Sequence, residues 1–159
     1  MNYELREMLP EDGAQVLQIF EEGIAGGNAT FDKEVPTWEY WDKNHFSACR
    51  FVAEDDNNNV VAWAALKPVS NRECFSGVAE VSIYITNSAQ GKGLGKVLLQ
   101  KLIIESEKNG FWMLQSGIFP ENIASLRVHE SLGFRTVGHR EKIGQMNGVW
   151  RDIILMERR

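Results

Sequence analysis

Cysteine is scarce in this chain. Only Cys49 and Cys74 occur in 159 residues, and they form no C-x-x-C pair. They offer neither a zinc ligand set nor a disulfide framework. No apolar run approaches the roughly 20 residues that cross a bilayer. The opening, Met1-Asn2-Tyr3-Glu4-Leu5-Arg6, lacks the basic and apolar regions of a signal peptide, so a cytoplasmic protein is expected. Positive charge is also short: 17 Lys and Arg against 22 Asp and Glu leave a net charge of −5. That balance disfavours a nucleic-acid partner held on a basic face. No repeat, linker or low-complexity tract breaks the chain, and the length fits one domain over 1–159.

What is present is the composition of an ordinary globular protein, 43% hydrophobic and 25% charged, with five tryptophans for large core or pocket surfaces. Residues Tyr3 to Met8 alternate as a strand. Leu9-Pro10-Glu11-Asp12 opens a helix whose apolar stripe is Ala14, Val16, Leu17, Ile19, Phe20 and Ile24, ended by Gly26-Gly27. After the loop Asn28-Ala29-Thr30-Phe31, a short helix runs from Pro36 to Phe46. Phe51–Glu54 and Val60–Leu66 read as a hairpin joined by Asp55 to Asn59. The strand Ala79–Thr86 places Ala79, Val81, Ile83 and Ile85 on one face and Glu80, Ser82, Tyr84 and Thr86 on the other.

A helix over Gly93–Lys108 follows, with Leu94, Val97, Leu98 and Leu102 on its apolar side. Then come a strand over Trp112–Phe119 and a helix after Asn122 with Ala124, Val128 and Leu132 inward, ended by Gly133. Two strands close the chain, Arg135–Lys142 and Val149–Met156, around a turn at Gly144 to Gly148. The order, roughly βααβββαβαββ, predicts a mixed α/β sheet with helices on both faces.

Between a strand and a helix lies Gln90-Gly91-Lys92-Gly93-Leu94-Gly95. Glycines let a backbone approach a ligand closely, and free N–H groups at a helix start attract anions. A phosphate-bearing ligand is expected. The spacing is not that of a P-loop, because Gln90 stands where its first glycine belongs and Val97 replaces the Ser or Thr. Nor is it G-x-G-x-x-G, because Gly95 arrives one residue early. Lys92 and Lys96 either add charge near the phosphates or are merely solvated.

The pattern Q-x-x-G-x-G formed by Gln90, Gly93 and Gly95 resembles the acetyl-CoA motif of the GNAT N-acetyltransferases. Asn122, Ser125, His129, Gly133 and Phe134 match a second signature of that superfamily. The details are similar to its phosphinothricin acetyltransferase branch. Glu80 lies ten residues before Gln90, Arg72-Glu73-Cys74-Phe75 fits an upstream arginine loop, and Gly148-Val149-Trp150-Arg151-Asp152 fits G-x-W-x-D. An early T-x-F has its counterpart in Ala29-Thr30-Phe31. The resemblance implies a GNAT fold, a mixed, mostly antiparallel twisted sheet of about seven strands. It implies acetyl-CoA as co-substrate, no metal, and a homodimer. The donor would be held by Ile83, Tyr84 and Ile85, by the loop residues Gln90, Gly91, Lys92, Gly93, Leu94, Gly95 and Lys96, and by Asn122 and Ser125.

The implied acceptor is the α-amine of a small amino-acid-like molecule of the phosphinothricin, methionine sulfoximine or methionine sulfone type. An amine is mostly protonated near pH 7, so a base must take its proton. Glu80, beside the expected thioester, is the leading base, and His129 is a second base or the acid to the departing thiolate. A backbone N–H of Ser82 or Ile83 would steady the oxyanion. Val81, Ser82, Phe31 and Trp150 would border the acceptor, with Trp63 a wall or a core residue, and Arg72 would pair with its carboxylate. Asn122 would bond the pantetheine arm, cap its helix, or do both. His45 and His139 belong to no motif. Other acceptors are a protein N-terminus, a polyamine or an aminoglycoside, and a non-catalytic acyl-CoA sensor is the reading of another class.

Overall fold

The computed structural model describes residues 2–159. Its elements are β1 (Glu4–Glu7), α1 (Gly13–Gly26), α2 (Trp38–Lys43), β2 (Phe51–Glu54), β3 (Val60–Pro68) and β4 (Val78–Ile85). They continue with α3 (Leu94–Lys108), β5 (Met113–Ile118), α4 (Ile123–Ser131), β6 (Arg135–Met146) and β7 (Val149–Arg158). This is the order expected from the sequence. The strands form a seven-stranded sheet in the order β1-β2-β3-β4-β5-β7-β6. Every neighbouring pair is antiparallel except β4 and β5, which are parallel and joined through α3.

Strand β3 shows why the sheet is covered on both faces. Val60 through Leu66 are all buried. Ala62, Ala64 and Leu66 join the core that includes Leu98, Leu99 and Leu102 of α3. Trp63 and Ala65 join the opposite core, with Val16, Ile19 and Phe20 of α1 and Trp41 of α2. A strand sandwiched in this way reads as a continuous apolar run. The spacing Leu94, Leu98, Leu102 keeps one face of α3 inward. Each leucine buried there contributes roughly 1.5–3 kcal/mol through removal from water.

The apolar stripes are narrower than the sequence implies. Ala14, Val97 and Ala124 are exposed. The inward face of α3 is completed by Leu99 and Ile103 instead of Val97. Ala14 and Ala124 carry too little apolar surface to dictate which way a helix turns. The last hairpin also differs. Its turn is Asn147-Gly148, both at positive φ (52° and 78°), the pairing that two-residue hairpin turns favour. Strand β6 therefore runs on to Met146. It absorbs Glu141, Lys142 and Ile143 in a bulge, where the register jumps from Arg140 opposite Ile153 to Gly144 opposite Arg151.

Candidate active site

The parallel pair is short. Strand β4 pairs with β5 only from Val78 to Glu80, opposite Met113 to Gln115. Beyond that point β4 stays on β3 as far as Ile85, while Ser116 to Ile118 of β5 stay on β7. The two strands diverge, and one backbone edge of β4 is left bare from Val81 to Ile85. Backbone N–H and C=O groups in such a position demand a partner. A cleft of about 680 Å³ opens there, and a smaller cavity of about 100 Å³ adjoins it. Asn28, Ala29, Ile83, Tyr84, Asn122, Ser125 and His129 border both.

The glycine loop closes the outer end of the large cleft. Gly91 and Gly93 have φ of 77° and 84°, which residues with a Cβ rarely adopt. Among the described residues, the amides of Gly91 through Lys96 donate to no protein acceptor. They converge at the N-terminus of α3, where the helix dipole is positive. Gln90 braces the loop, its side-chain amide donating to the Ile85 carbonyl at 3.2 Å. Of the residues expected to hold the donor, all border this cleft except Lys92.

At the inner end stands His129. Its Nδ1–H donates to the Ser125 carbonyl at 2.8 Å, which leaves Nε2 as the unprotonated nitrogen. Nε2 is buried and has no partner among the described residues. Burial holds this imidazole below its ordinary pKa, against a smaller opposing effect of the Ser125 bond. His129 is therefore a neutral proton acceptor near pH 7, and can act as an acid only after taking a proton. Asn122 caps α4, its Oδ1 accepting the Ser125 N–H at 3.2 Å while its Nδ2 donates to the Asn28 carbonyl at 3.3 Å.

The small cavity is bordered by Val81 and Ser82 of β4 and by Ser116, Gly117 and Phe119 from β5 and its end. Glu80 stands just beyond Ser82 on the same face. Its Oε1 lies 3.9 Å from where a Cβ on Gly117 would sit, and no protein hydrogen bond or ion pair engages this carboxylate among the described residues. Tyr84 is wedged between Phe20 and Trp63, 4.9 Å from each ring. Its burial pushes the phenol up to about 12.

Besides Glu80 and Lys92, three expected residues lie outside both linings. Phe31 packs edge-on against Phe119 at 4.9 Å, one layer behind the cavity wall. Trp150 is 54% exposed on β7. Arg72 is exposed in the loop before β4, its guanidinium 5.3 Å from the Phe75 ring centroid. Trp63 is fully buried in the core. His45 is also a core residue, stacked 3.9 Å from Trp41. His139 pairs with Asp152 at 2.8 Å on the last hairpin. Sequence reasoning missed Asn28, Ala29, Ser116, Gly117 and Phe119. The only signal was the loop after Gly26-Gly27, since residues at a strand divergence carry no periodicity of their own.

The profile of the acetyltransferase (GNAT) family matches residues 15–134. YwnH of Bacillus subtilis (strain 168) is 35% identical over 147 residues, spanning 90% of each chain. The L-methionine sulfoximine/L-methionine sulfone acetyltransferase of Salmonella typhimurium is 28% identical over 150 residues, covering 92% of this chain and 88% of its own. The crystal structure of a GNAT superfamily phosphinothricin acetyltransferase from Sinorhizobium meliloti, in complex with acetyl-CoA, superposes with a TM-score of 0.89 at 27% identity. That match covers 99% of this chain and 88% of the other. The divergence of β4 from β5, the glycine loop across its mouth and the family profile over most of the chain agree: this protein belongs to the acetyltransferase (GNAT) family.

Proposed function

We propose that the protein is an acetyl-CoA-dependent N-acetyltransferase acting on the α-amine of a small amino-acid-like molecule of the phosphinothricin, methionine sulfoximine or methionine sulfone type. The observation that carries the reading is the bare edge of β4 running from the glycine loop to His129 and Glu80. Acetyl-CoA supplies an activated acetyl thioester. The features present fit it: among the described residues the free amides of Gly91 to Lys96 suit a pyrophosphate, the Val81–Ile85 edge suits an amide-bearing arm, and the buried Nε2 of His129 lacks a partner. The names of the relatives support the acceptor class.

In this reading Glu80 takes the proton of the acceptor amine, directly or through a water molecule, while Val81 and Ser82 border that amine. His129 offers Nε2 as a second acceptor and can return a proton from that atom once it has gained one. Arg72 pairs with the acceptor carboxylate, since no protein carboxylate engages its guanidinium among the described residues. Phe31 and Trp150 shape the approach from the last hairpin. Transfer is direct: Cys49 is buried, with its thiol pushed up to about 11 by that burial, and Cys74 lines neither cavity. We place the enzyme in the cytoplasm as a homodimer, which light scattering on the purified chain tests.

The deciding assay is thiol release from acetyl-CoA with methionine sulfone, methionine sulfoximine and phosphinothricin. Release with these and not with polyamines, aminoglycosides or peptide N-termini is the expected result. Release only with the latter group moves the acceptor class. Binding of acetyl-CoA with release on no amine of the panel makes the protein a sensor.

A further inference from the structure

The segment joining α1 to α2 has little hydrogen bonding of its own. Beyond the α1 cap, where the Gly27 N–H donates to the Ile24 carbonyl, its internal hydrogen bonds among the described residues come down to one turn, the Asp32 N–H donating to Thr30 Oγ1 at 3.0 Å. A Gly-Gly-Asn sequence at a helix end has high conformational freedom. Yet Asn28 and Ala29 are part of the wall shared by the large cleft and the small cavity. What fixes them comes from the far end of the chain.

Arg151 of β7 extends across this segment with its side chain 13% exposed. Nη1–H donates to the Gly27 carbonyl at 2.9 Å, and Nη2–H donates to Asn28 Oδ1 at 2.7 Å. The guanidinium lies 4.1 Å from the Phe119 ring centroid, and Phe119 also borders the small cavity. The nearest carboxylate, Glu121, is 3.7 Å away and half exposed. Besides a long contact of Nη1 to Met146 Sδ at 4.0 Å, this cation gives its two short hydrogen bonds to neutral oxygens of one loop, a task suited to a rigid planar fork. Asn122 holds the Asn28 carbonyl from the other side and caps α4 through the Ser125 N–H, and the Ser125 carbonyl fixes the tautomer of His129.

We infer that Arg151 is a positioning residue for acceptor binding: it clamps Gly27 and Asn28 over Phe119 and so sets the wall that the donor cleft and the acceptor cavity share. The inference rests on the proposed acetyl transfer for its kinetic reading, though not for its structural one. The wall is a larger part of a cavity of about 100 Å³ than of a cleft of about 680 Å³. Loosening it therefore falls mainly on the acceptor.

The test compares the full-length chain with Arg151→Met and Arg151→Lys, using methionine sulfone as acceptor. Both variants are expected to raise the acceptor KM about tenfold and to move the acetyl-CoA KM by less than about twofold. Lysine fails with methionine because a single ammonium cannot reproduce the two-pronged contact. An acceptor KM within about twofold of the parent in Arg151→Met, or equal rises in both KM values, overturns the inference. Hydrogen exchange read by mass spectrometry gives a second measure that needs no activity. Amides of residues 28–32 should exchange faster in Arg151→Met while those of β3 do not change; unchanged exchange at 28–32 overturns the clamp. If the parent chain acetylates none of the panel, the functional reading fails, and the exchange result alone decides on Arg151.

Discussion

The Tyr84 ring sits where a side chain on Gly23 would be. A Cβ built on Gly23 falls 2.7 Å from Tyr84 Cδ1, closer than packed carbons approach. Tyr84 borders both cavities and is held between Phe20 and Trp63, so it can yield only into the cavities. Gly23→Ala is expected to cost about 1–3 kcal/mol of stability, as overpacking does, and to weaken donor and acceptor binding together. Gly26 is the control, because nothing lies within 4 Å of its added Cβ. Gly26→Ala should hold or slightly raise stability, by at most about 1 kcal/mol. Urea unfolding of both variants checks this; equal stabilities would contradict the account of Tyr84.

The role given to Glu80 predicts a clean separation of kinetic constants. Glu80→Gln preserves shape and removes the basic oxygen. A positioned base contributes about 10²–10⁴-fold, so kcat should fall within that range while the dissociation constant of acetyl-CoA stays within about twofold. Isothermal titration and steady-state assays measure the two. Undiminished turnover would remove Glu80 from the chemistry and leave His129 as the acceptor of the proton.

Arg72 stands over Phe75 in an exposed loop, and its proposed partner is the carboxylate of the acceptor. Arg72→Ala should raise the acceptor KM by an amount equivalent to about 1.5–3 kcal/mol, the worth of a charged hydrogen bond. The same variant should lose its disadvantage with an acceptor amide in place of the acid. A KM that is unchanged with the acid would sink this assignment.

Acid should unfold the protein through its buried imidazoles. Burial brings His45 from 6.5 down to about 4 and lowers His129 as well. The folded pKa lies below the unfolded one, so as pH drops the unfolded chain takes up protons first. The stabilisation is complete above about pH 6.5 and drains away toward about pH 4, by roughly 3 kcal/mol for His45 over its whole shift. Urea unfolding from about pH 7 to about pH 4.5 should show this decline. His45→Phe keeps an aromatic against Trp41 and should flatten the slope; a free energy independent of pH across that window would refute the argument.

The parts of the site that the sequence announced are the ones built by local rules. Gly91 and Gly93 had to be glycines for their φ values, and Gln90 stands where it braces the end of β4. Asn122 is a helix cap that any reader of caps would place. The i, i+4, i+8 spacing of Leu94, Leu98 and Leu102 is likewise visible as a face. What could not be read was built by long-range meetings. Ser116, Gly117 and Phe119 matter because β5 leaves β4 after Gln115, a fact of strand pairing and not of spacing. Arg151 reaches Asn28 across 123 positions of sequence. The turn of the last hairpin occupies only Asn147-Gly148, the far end of the expected turn from Gly144 to Gly148. Gly144 instead accommodates the ring of Phe31, 3.0 Å from where its Cβ would be.

The early parting of β4 and β5 also divides the two halves of the site by how they respond to mutation. A ligand that lies along Val81 to Ile85 is greeted by main chain, which every residue supplies alike, so side-chain drift at Ile83 or Ile85 leaves donor recognition standing. The smaller cavity is made instead from the tips of Val81, Phe119, Asn28 and their neighbours, each replaceable by one codon. The protein is thus conservative toward the molecule that brings the acetyl group and plastic toward the molecule that receives it. New acceptors should arise on this scaffold far more readily than new donors.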